Sequence, residues 1–270
     1  MSPKTLGIDI GTSGARAALL DETGAVAALA ATRFAAVGGD AKAPATWRRA
    51  LQATLNDLAA RADLIGVESL AVDGTSGTML ALDADNEPIG LAIMYDEPCR
   101  DASLLEHIAA AAPTGSPALG ASSALARALA LQLIPGAKRV LHQADWIAGL
   151  FSGRFDRSDE NNALKTGYDV FARRWPAWIE KAGAKVELLP KVFSPGTPIG
   201  AASAFAQSLG LPATAIVCAG TTDGCASFLA TGAKEIGDAV TALGSTLVLK
   251  LLAHKPIEAA EYGIDRKSVV

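Results

Sequence analysis

Three times in this chain an apolar, strand-forming run leads into a short segment of glycines and hydroxyl residues. The first reads Leu6-Gly7-Ile8-Asp9-Ile10-Gly11-Thr12-Ser13-Gly14-Ala15-Arg16 and the second Val72-Asp73-Gly74-Thr75-Ser76-Gly77-Thr78. The third is Thr241-Ala242-Leu243-Gly244-Ser245-Thr246-Leu247-Val248. Glycine lets backbone N–H groups turn toward an anion, and Thr and Ser add short hydroxyl donors where a larger side chain would block approach. Such loops suit phosphates and polyols, and the apolar runs behind them place the loops at the edge of a sheet.

The pattern along the chain is mixed. Residues 5–10 and 15–20 read as strands joined by the first loop, and residues 25–34 as a third strand after the turn Asp21-Glu22-Thr23-Gly24. Trp47, Leu51, Thr54, Leu55 and Leu58 share one helical stripe, with start signals at Pro44 and Thr46. Residues 69–72, 78–82 and 89–95 read as short strands, and residues 98–209 as a mostly helical, Ala-rich stretch. A buried strand over residues 215–219 runs into Gly220-Thr221-Thr222-Asp223-Gly224, and residues 240–243 and 247–252 form a closing hairpin. Strands, then a helix, then strands again predict an α/β fold with a mixed sheet.

Composition removes several classes of function. The 270 residues are 50% hydrophobic and 19% charged, enough for a sizeable core. A formal net charge of −4 leaves no basic footprint, so nucleic acid is not an expected partner, and an anionic ligand must be held by local dipoles. Cys99, Cys218 and Cys225 show no C-x-x-C spacing, which favours free thiols in a reducing compartment, with Cys225 a core residue. No apolar run approaches the roughly 20 residues of a membrane crossing. The chain enters a strand-like run almost at once, so no targeting peptide and a cytoplasmic location are expected. Walker A and G-x-G-x-x-G patterns are absent, and His107, His142 and His254 have no zinc spacing. Ser13, Ser76 and Ser245 have no histidine nearby in sequence.

Each chemical segment also has a plain reading. Residues 11–14 fit a tight hairpin as well as a phosphate loop. Asp9 favours the second, because a carboxylate ending an apolar strand needs a cation or donors, and Mg²⁺ bound to phosphate oxygens would serve. Arg16 alternates out of its strand, either to solvent or to a phosphate. Asp223 fits a helix cap. It equally fits the carboxylate that phosphoryl transfer requires to orient a hydroxyl and accept its proton. The second and third loops fit ordinary turns, a polyol contact or a phosphate cradle.

Taken together, Gly7-Ile8-Asp9-Ile10-Gly11-Thr12-Ser13, Ala219-Gly220-Thr221-Thr222-Asp223 and Leu243-Gly244-Ser245-Thr246 resemble, in order, the first phosphate motif, the catalytic segment and the second phosphate hairpin of the FGGY carbohydrate kinases. That family belongs to the actin–Hsp70–sugar kinase superfold. Residues 71–78, Gln143-Ala144-Asp145-Trp146 and Asn161-Asn162-Ala163-Leu164-Lys165 are most similar to its D-ribulose kinase, or xylulose kinase-like, branch. The resemblance implies a ribonuclease H-like mixed sheet flanked by helices, ATP and Mg²⁺, and phosphorylation of a ketopentose at its terminal hydroxyl. It implies Asp223 as base, Asp9 on the metal, and Gly11, Thr12, Ser13, Gly14, Arg16, Gly244, Ser245 and Thr246 on the nucleotide. Ser76, Thr222 and Asp223 would meet the sugar. Asp96 would join them, although Met94-Tyr95-Asp96-Glu97-Pro98-Cys99 replaces the family's Trp, Asp and Arg. Residues 1–238 would be the sugar-binding domain and 239–270 the first strands of a nucleotide domain otherwise missing, so activity of the chain is expected to be weak or absent. The alternatives are a D-xylulose kinase and a non-catalytic sugar-binding or self-associating domain, the latter a homodimer paired through the hairpin.

Overall fold

The computed structural model describes residues 4–243 and 247–255. The chain opens with β1 (Lys4–Ile10), β2 (Gly14–Leu20) and β3 (Val26–Arg33), then α1 (Phe34–Val37), α2 (Pro44–Arg61), β4 (Val67–Gly74) and β5 (Met79–Leu82). Next come α3 (Ala102–Ala111), α4 (Ala124–Gln132), β6 (Arg139–His142), α5 (Gln143–Ser152), β7 (Arg157–Asp159), α6 (Glu160–Lys165) and α7 (Ala177–Lys181). The rest runs β8 (Lys191–Phe193), β9 (Pro198–Ala201), α8 (Ala204–Ser208), β10 (Ile216–Thr222), α9 (Asp223–Leu229), β11 (Ala239–Leu243) and β12 (Leu247–Leu251).

Six strands make the central sheet in the order β3-β2-β1-β4-β10-β9. β1 runs parallel to β4 and β4 parallel to β10, whereas β2, β3 and β9 are antiparallel to their neighbours. The expected mixed sheet flanked by helices is therefore the fold. The three parallel strands β1, β4 and β10 end on the same side, which brings Asp9, Asp73 and Asp223 to neighbouring strand ends.

Alternation sets the two faces apart. Leu6, Ile8 and Ile10 of β1, and Ala15, Ala17 and Leu19 of β2, are buried beneath α2 and α5. Pro44 occupies the first turn of α2, where its missing N–H costs nothing, and the predicted stripe Trp47, Leu51, Thr54, Leu55 and Leu58 is buried. Each of the large apolar side chains in that stripe contributes about 1.5–3 kcal/mol of burial. Trp47 meets Trp146 of α5 edge-on at 6.1 Å, joining the two helices over the sheet. The intervening positions Gly7, Asp9, Ala18, Ala71 and Asp73 are only partly covered.

Two expectations need correction. Residues 89–95 form no strand; Ile93 makes an isolated bridge with Met79, and Pro88, just before the segment, makes another with Leu82. Proline cannot donate to a ladder, and this segment instead wraps the β5 edge. Residues 98–209 are less helical than read: β6, β7, β8 and β9 interrupt them, as two small sheets and one edge strand. β11 and β12 pair as the expected hairpin, separate from the central sheet.

Candidate active site

At the ends of β1 and β4 the registers match Asp9 with Asp73. A cleft of about 450 Å³ opens over this position, and Asp9, Arg16, Ala18, Asp73, Thr221 and Ala226 are among its walls. The Asp9 and Asp73 carboxyls stand close enough at these strand ends to interact directly. Burial, then the charge of Asp9, pushes the Asp73 carboxyl up to about 8. Arg16 stands opposite Asp9 on β2 and donates from Nη1 to its carboxylate at 2.5 Å. Its guanidinium is thus held by a carboxylate at the cleft wall.

The third carboxylate arrives on β10. Thr221 and Thr222 pair with Asp73 and Gly74, after a register shift that leaves Ala219 and Gly220 opposite the single residue Val72. A Cβ at Gly220 would lie 1.8 Å from the Val72 carbonyl oxygen, so only glycine permits this approach. Asp223 then opens α9, with Thr222 in the cap position. The Asp223 carboxylate accepts the Gly224 N–H at 2.6 Å and also the Ser76 N–H. Burial pushes its pKa up and Asp9 adds to this, while the two N–H donors and Lys250 pull it down. Lys250 reaches α9 from β12, donating to the Gly224 carbonyl at 2.6 Å and to Ser227 Oγ at 3.0 Å.

A buried polar network holds β10 from the other side. Asp159 caps α6 by accepting from the Asn161 and Asn162 N–H groups at 2.8 and 2.9 Å, and it takes the Asn162 amide at 2.7 Å. Asn161 donates to Thr221 Oγ1 at 2.9 Å and Asn162 to the Thr221 carbonyl at 3.3 Å. Burial pushes Asp159 up to about 6, and the hydrogen bonds to Asn162 and Asn161 pull against that.

The structure therefore puts Asp9 and Arg16 in the cleft wall, with Asp223, held by the Ser76 N–H, close to Asp9 and Asp73. Gly11, Thr12, Ser13 and Gly14 form the β1–β2 turn beside them, with the Thr12 and Ser13 side chains exposed and the Gly11 N–H bonded to the Gly14 carbonyl. Thr222 is placed differently: its side chain is buried and its hydroxyl donates to Cys225 Sγ at 3.0 Å. Asp96 is exposed on the loop after Tyr95. Gly244, Ser245 and Thr246 lie outside the described residues.

Sequence reasoning missed Asp73. Asp9 lies two residues before its Gly-Thr-Ser-Gly and Asp73 one residue before its own, so only the strand register, which pairs Ile10 with Gly74, brings the two carboxylates level. It also missed the Asp159, Asn161 and Asn162 brace. Among the described residues no group of three or more acidic, histidine or cysteine side chains is placed to hold a metal ion.

No protein-family model matches the sequence. Solved structures do match. A gluconate kinase from Lactobacillus acidophilus superposes with a TM-score of 0.80 at 16% identity, over 95% of this chain and 55% of that one. A xylulose kinase from Rhodospirillum rubrum gives 0.76 at 23%, over 88% and 52%. Plasmodium falciparum glycerol kinase with ADP gives 0.75 at 14%, over 92% and 54%. The chain spans about half the length of these kinases. What is shared at such identities is the architecture, a mixed sheet flanked by helices of the kind that forms one half of a carbohydrate kinase.

Proposed function

We propose that this chain is the sugar-binding part of an ATP-dependent carbohydrate kinase that phosphorylates the terminal hydroxyl of a ketopentose, with D-ribulose the first substrate. The observation that carries this reading is the convergence of Asp9, Asp73 and Asp223 beside an exposed Gly-Thr-Ser-Gly turn. Residues 1–238 form the sugar-binding domain, and the hairpin that follows begins the nucleotide-binding part.

In this mechanism Asp223 sits at the sugar hydroxyl. The hydroxyl oxygen bonds to the terminal phosphorus of ATP, the bond to ADP breaks, and the hydroxyl proton passes to Asp223. Asp223 is an exposed residue, yet desolvation of its carboxyl raises its pKa, which suits it to take that proton better than a fully solvated carboxylate. Ser76, bonded to Asp223 through its N–H, and Asp96 on the adjoining loop contact the sugar. The turn at Gly11, Thr12, Ser13 and Gly14 takes phosphate oxygens, joined by Gly244, Ser245 and Thr246, and Arg16 can exchange Asp9 for a phosphate. Asp9 and Asp73 fit Mg²⁺, because two adjacent carboxyls, Asp73 raised by burial and by the charge of Asp9, gain from a dication, and Mg²⁺ keeps several water or phosphate ligands. When bound, the ion supplies charge neutralisation at the phosphates.

Calorimetry of the chain with D-ribulose tests the reading. Saturable binding between about 1 μM and 1 mM is expected, and no heat with any ketopentose would sink it. Where turnover is measurable, Asp223→Ala should abolish it while sugar affinity stays within about tenfold. D-xylulose is the second substrate reading, favoured by the likeness to xylulose kinases, and a competition titration between the two sugars decides. A non-catalytic, self-associating domain is favoured by one feature, the exposed Leu243, Leu247, Leu249 and Leu251 of the hairpin. Light scattering that finds a stable dimer without sugar binding would establish it.

A further inference from the structure

Helix α4 carries a buried cation in an apolar setting. Arg127 is 2% exposed, among Ala124, Ala128 and Leu131 on the same helix, all buried. A leucine or methionine would fill the space, whereas a buried guanidinium must have its donors met. Every acceptor is a main-chain carbonyl. Nε donates to Glu97 at 3.2 Å, Nη1 to Gly77 at 3.2 Å, and Nη2 to Ser122 at 3.0 Å and to Tyr95. The Glu97 carboxylate turns the other way, to Lys42 and the Met94 N–H.

Two of the segments thus tied are the turns beside the cleft. Residues 74–78 present the Ser76 N–H to Asp223, and residues 94–97 carry Asp96. They meet again where the Tyr95 N–H donates to Thr78 Oγ1 at 3.2 Å. Gly77 has φ +87°, and a Cβ there would come 3.2 Å from Arg127 Nη1, so the turn and the guanidinium are fitted to each other.

We infer that Arg127 is a positioning residue: through the Gly77, Tyr95 and Glu97 carbonyls it fixes the two turns in one arrangement, and so sets where the Ser76 N–H and Asp96 stand relative to Asp223. A planar fork with several fixed donors does this, while an ammonium satisfies fewer of the carbonyls. The part about Ser76 and Asp96 meeting a sugar rests on the kinase reading; the holding of the turns does not.

The test uses the whole chain without ligand. Amide hydrogen exchange is followed by NMR in Arg127→Met, in Arg127→Lys, and in Leu129→Ala, which removes a buried side chain of the same helix without touching the turns. Relative to the amides of α2, the Ser76, Thr78, Tyr95 and Glu97 amides should exchange about tenfold faster in Arg127→Met and by a smaller factor in Arg127→Lys. Leu129→Ala should leave those ratios within about twofold. Unchanged ratios in Arg127→Met, or the same selective rise in Leu129→Ala, overturn the inference. If Arg127→Met does not fold, Arg127→Lys decides: a selective rise supports the inference and wild-type ratios end it. A sugar titration of Arg127→Lys is read separately. Loss of affinity there with intact wild-type binding extends the role to the substrate, and a wild type that binds no sugar counts against the kinase reading alone.

Discussion

The tetrapeptide Gly-Thr-Ser-Gly occurs twice at strand ends, as residues 11–14 and 74–77, and its two copies live in different surroundings. In the first, Thr12 and Ser13 are exposed at a hairpin tip and the turn is closed by one bond between the Gly11 N–H and the Gly14 carbonyl. In the second, Gly74, Thr75 and Gly77 are buried. The Thr75 N–H is shared between the Ile10 carbonyl at 3.2 Å and Gln143 Oε1 at 3.3 Å, and Arg127 holds the Gly77 carbonyl. Identical residues therefore serve opposite ends. The first loop leaves its hydroxyls in solvent, and the second uses its polar groups to fix Ser76 beside Asp223. What decides is the next element: an antiparallel return strand leaves a loop in solvent, while the helices α4 and α5 close over the other.

That contrast can be broken by mutation. The largest expected effect is Gly77→Ala, which forces a side chain into left-handed backbone against Arg127 and should cost about 2–3 kcal/mol by denaturant unfolding. A loss under about 0.5 kcal/mol would mean the second loop is as tolerant as an exposed turn. Thr75→Ala should cost about 1–2 kcal/mol, since Oγ1 is buried and faces the Ile10 carbonyl. His142 precedes the Gln143 that braces Thr75, and burial pushes it down to about 3. From about pH 6.5 down to about 3, the unfolded chain binds a proton there that the folded chain refuses. Stability from the neutral ring is therefore full above pH 6.5 and lost on acidification. Denaturation of wild type and His142→Gln across this range should show any advantage of the wild type shrinking as pH falls. The buried Asp145 and Asp159, pushed the opposite way, are common to both proteins and drop out of the difference to first order. The smallest effect is Thr12→Ala, which should leave stability within about 0.5 kcal/mol and weaken nucleotide binding alone. A clear stability loss there would erase the distinction between the loops.

The strands carrying Asp9 and Asp223 were legible because their apolar runs end abruptly in Gly and Thr, and the α2 stripe because its period is unbroken. Asp73 was not legible as a site residue, since its neighbour Asp9 is 64 positions away and only parallel pairing makes them adjacent. Residues 89–95 misled because apolar alternation also suits a segment laid along a sheet edge without a ladder. The roles of Arg127, Asn161 and Asn162 lay beyond pattern reading for the same reason: each makes hydrogen bonds to groups 30 residues or more away in sequence, main-chain carbonyls for Arg127 and Asn162 and the Thr221 hydroxyl for Asn161. No local period encodes such a bond.

Gly220 bears no functional group, yet it governs the spacing of three that do. Were it any other residue, its first carbon would wedge β10 away from Val72 and carry Asp223 outward with it, opening the gap between Asp223 and the Asp9–Asp73 pair. The spacing of the three carboxylates is thus set by an atom that is missing, and a methyl group placed there would pull them apart without touching any of them.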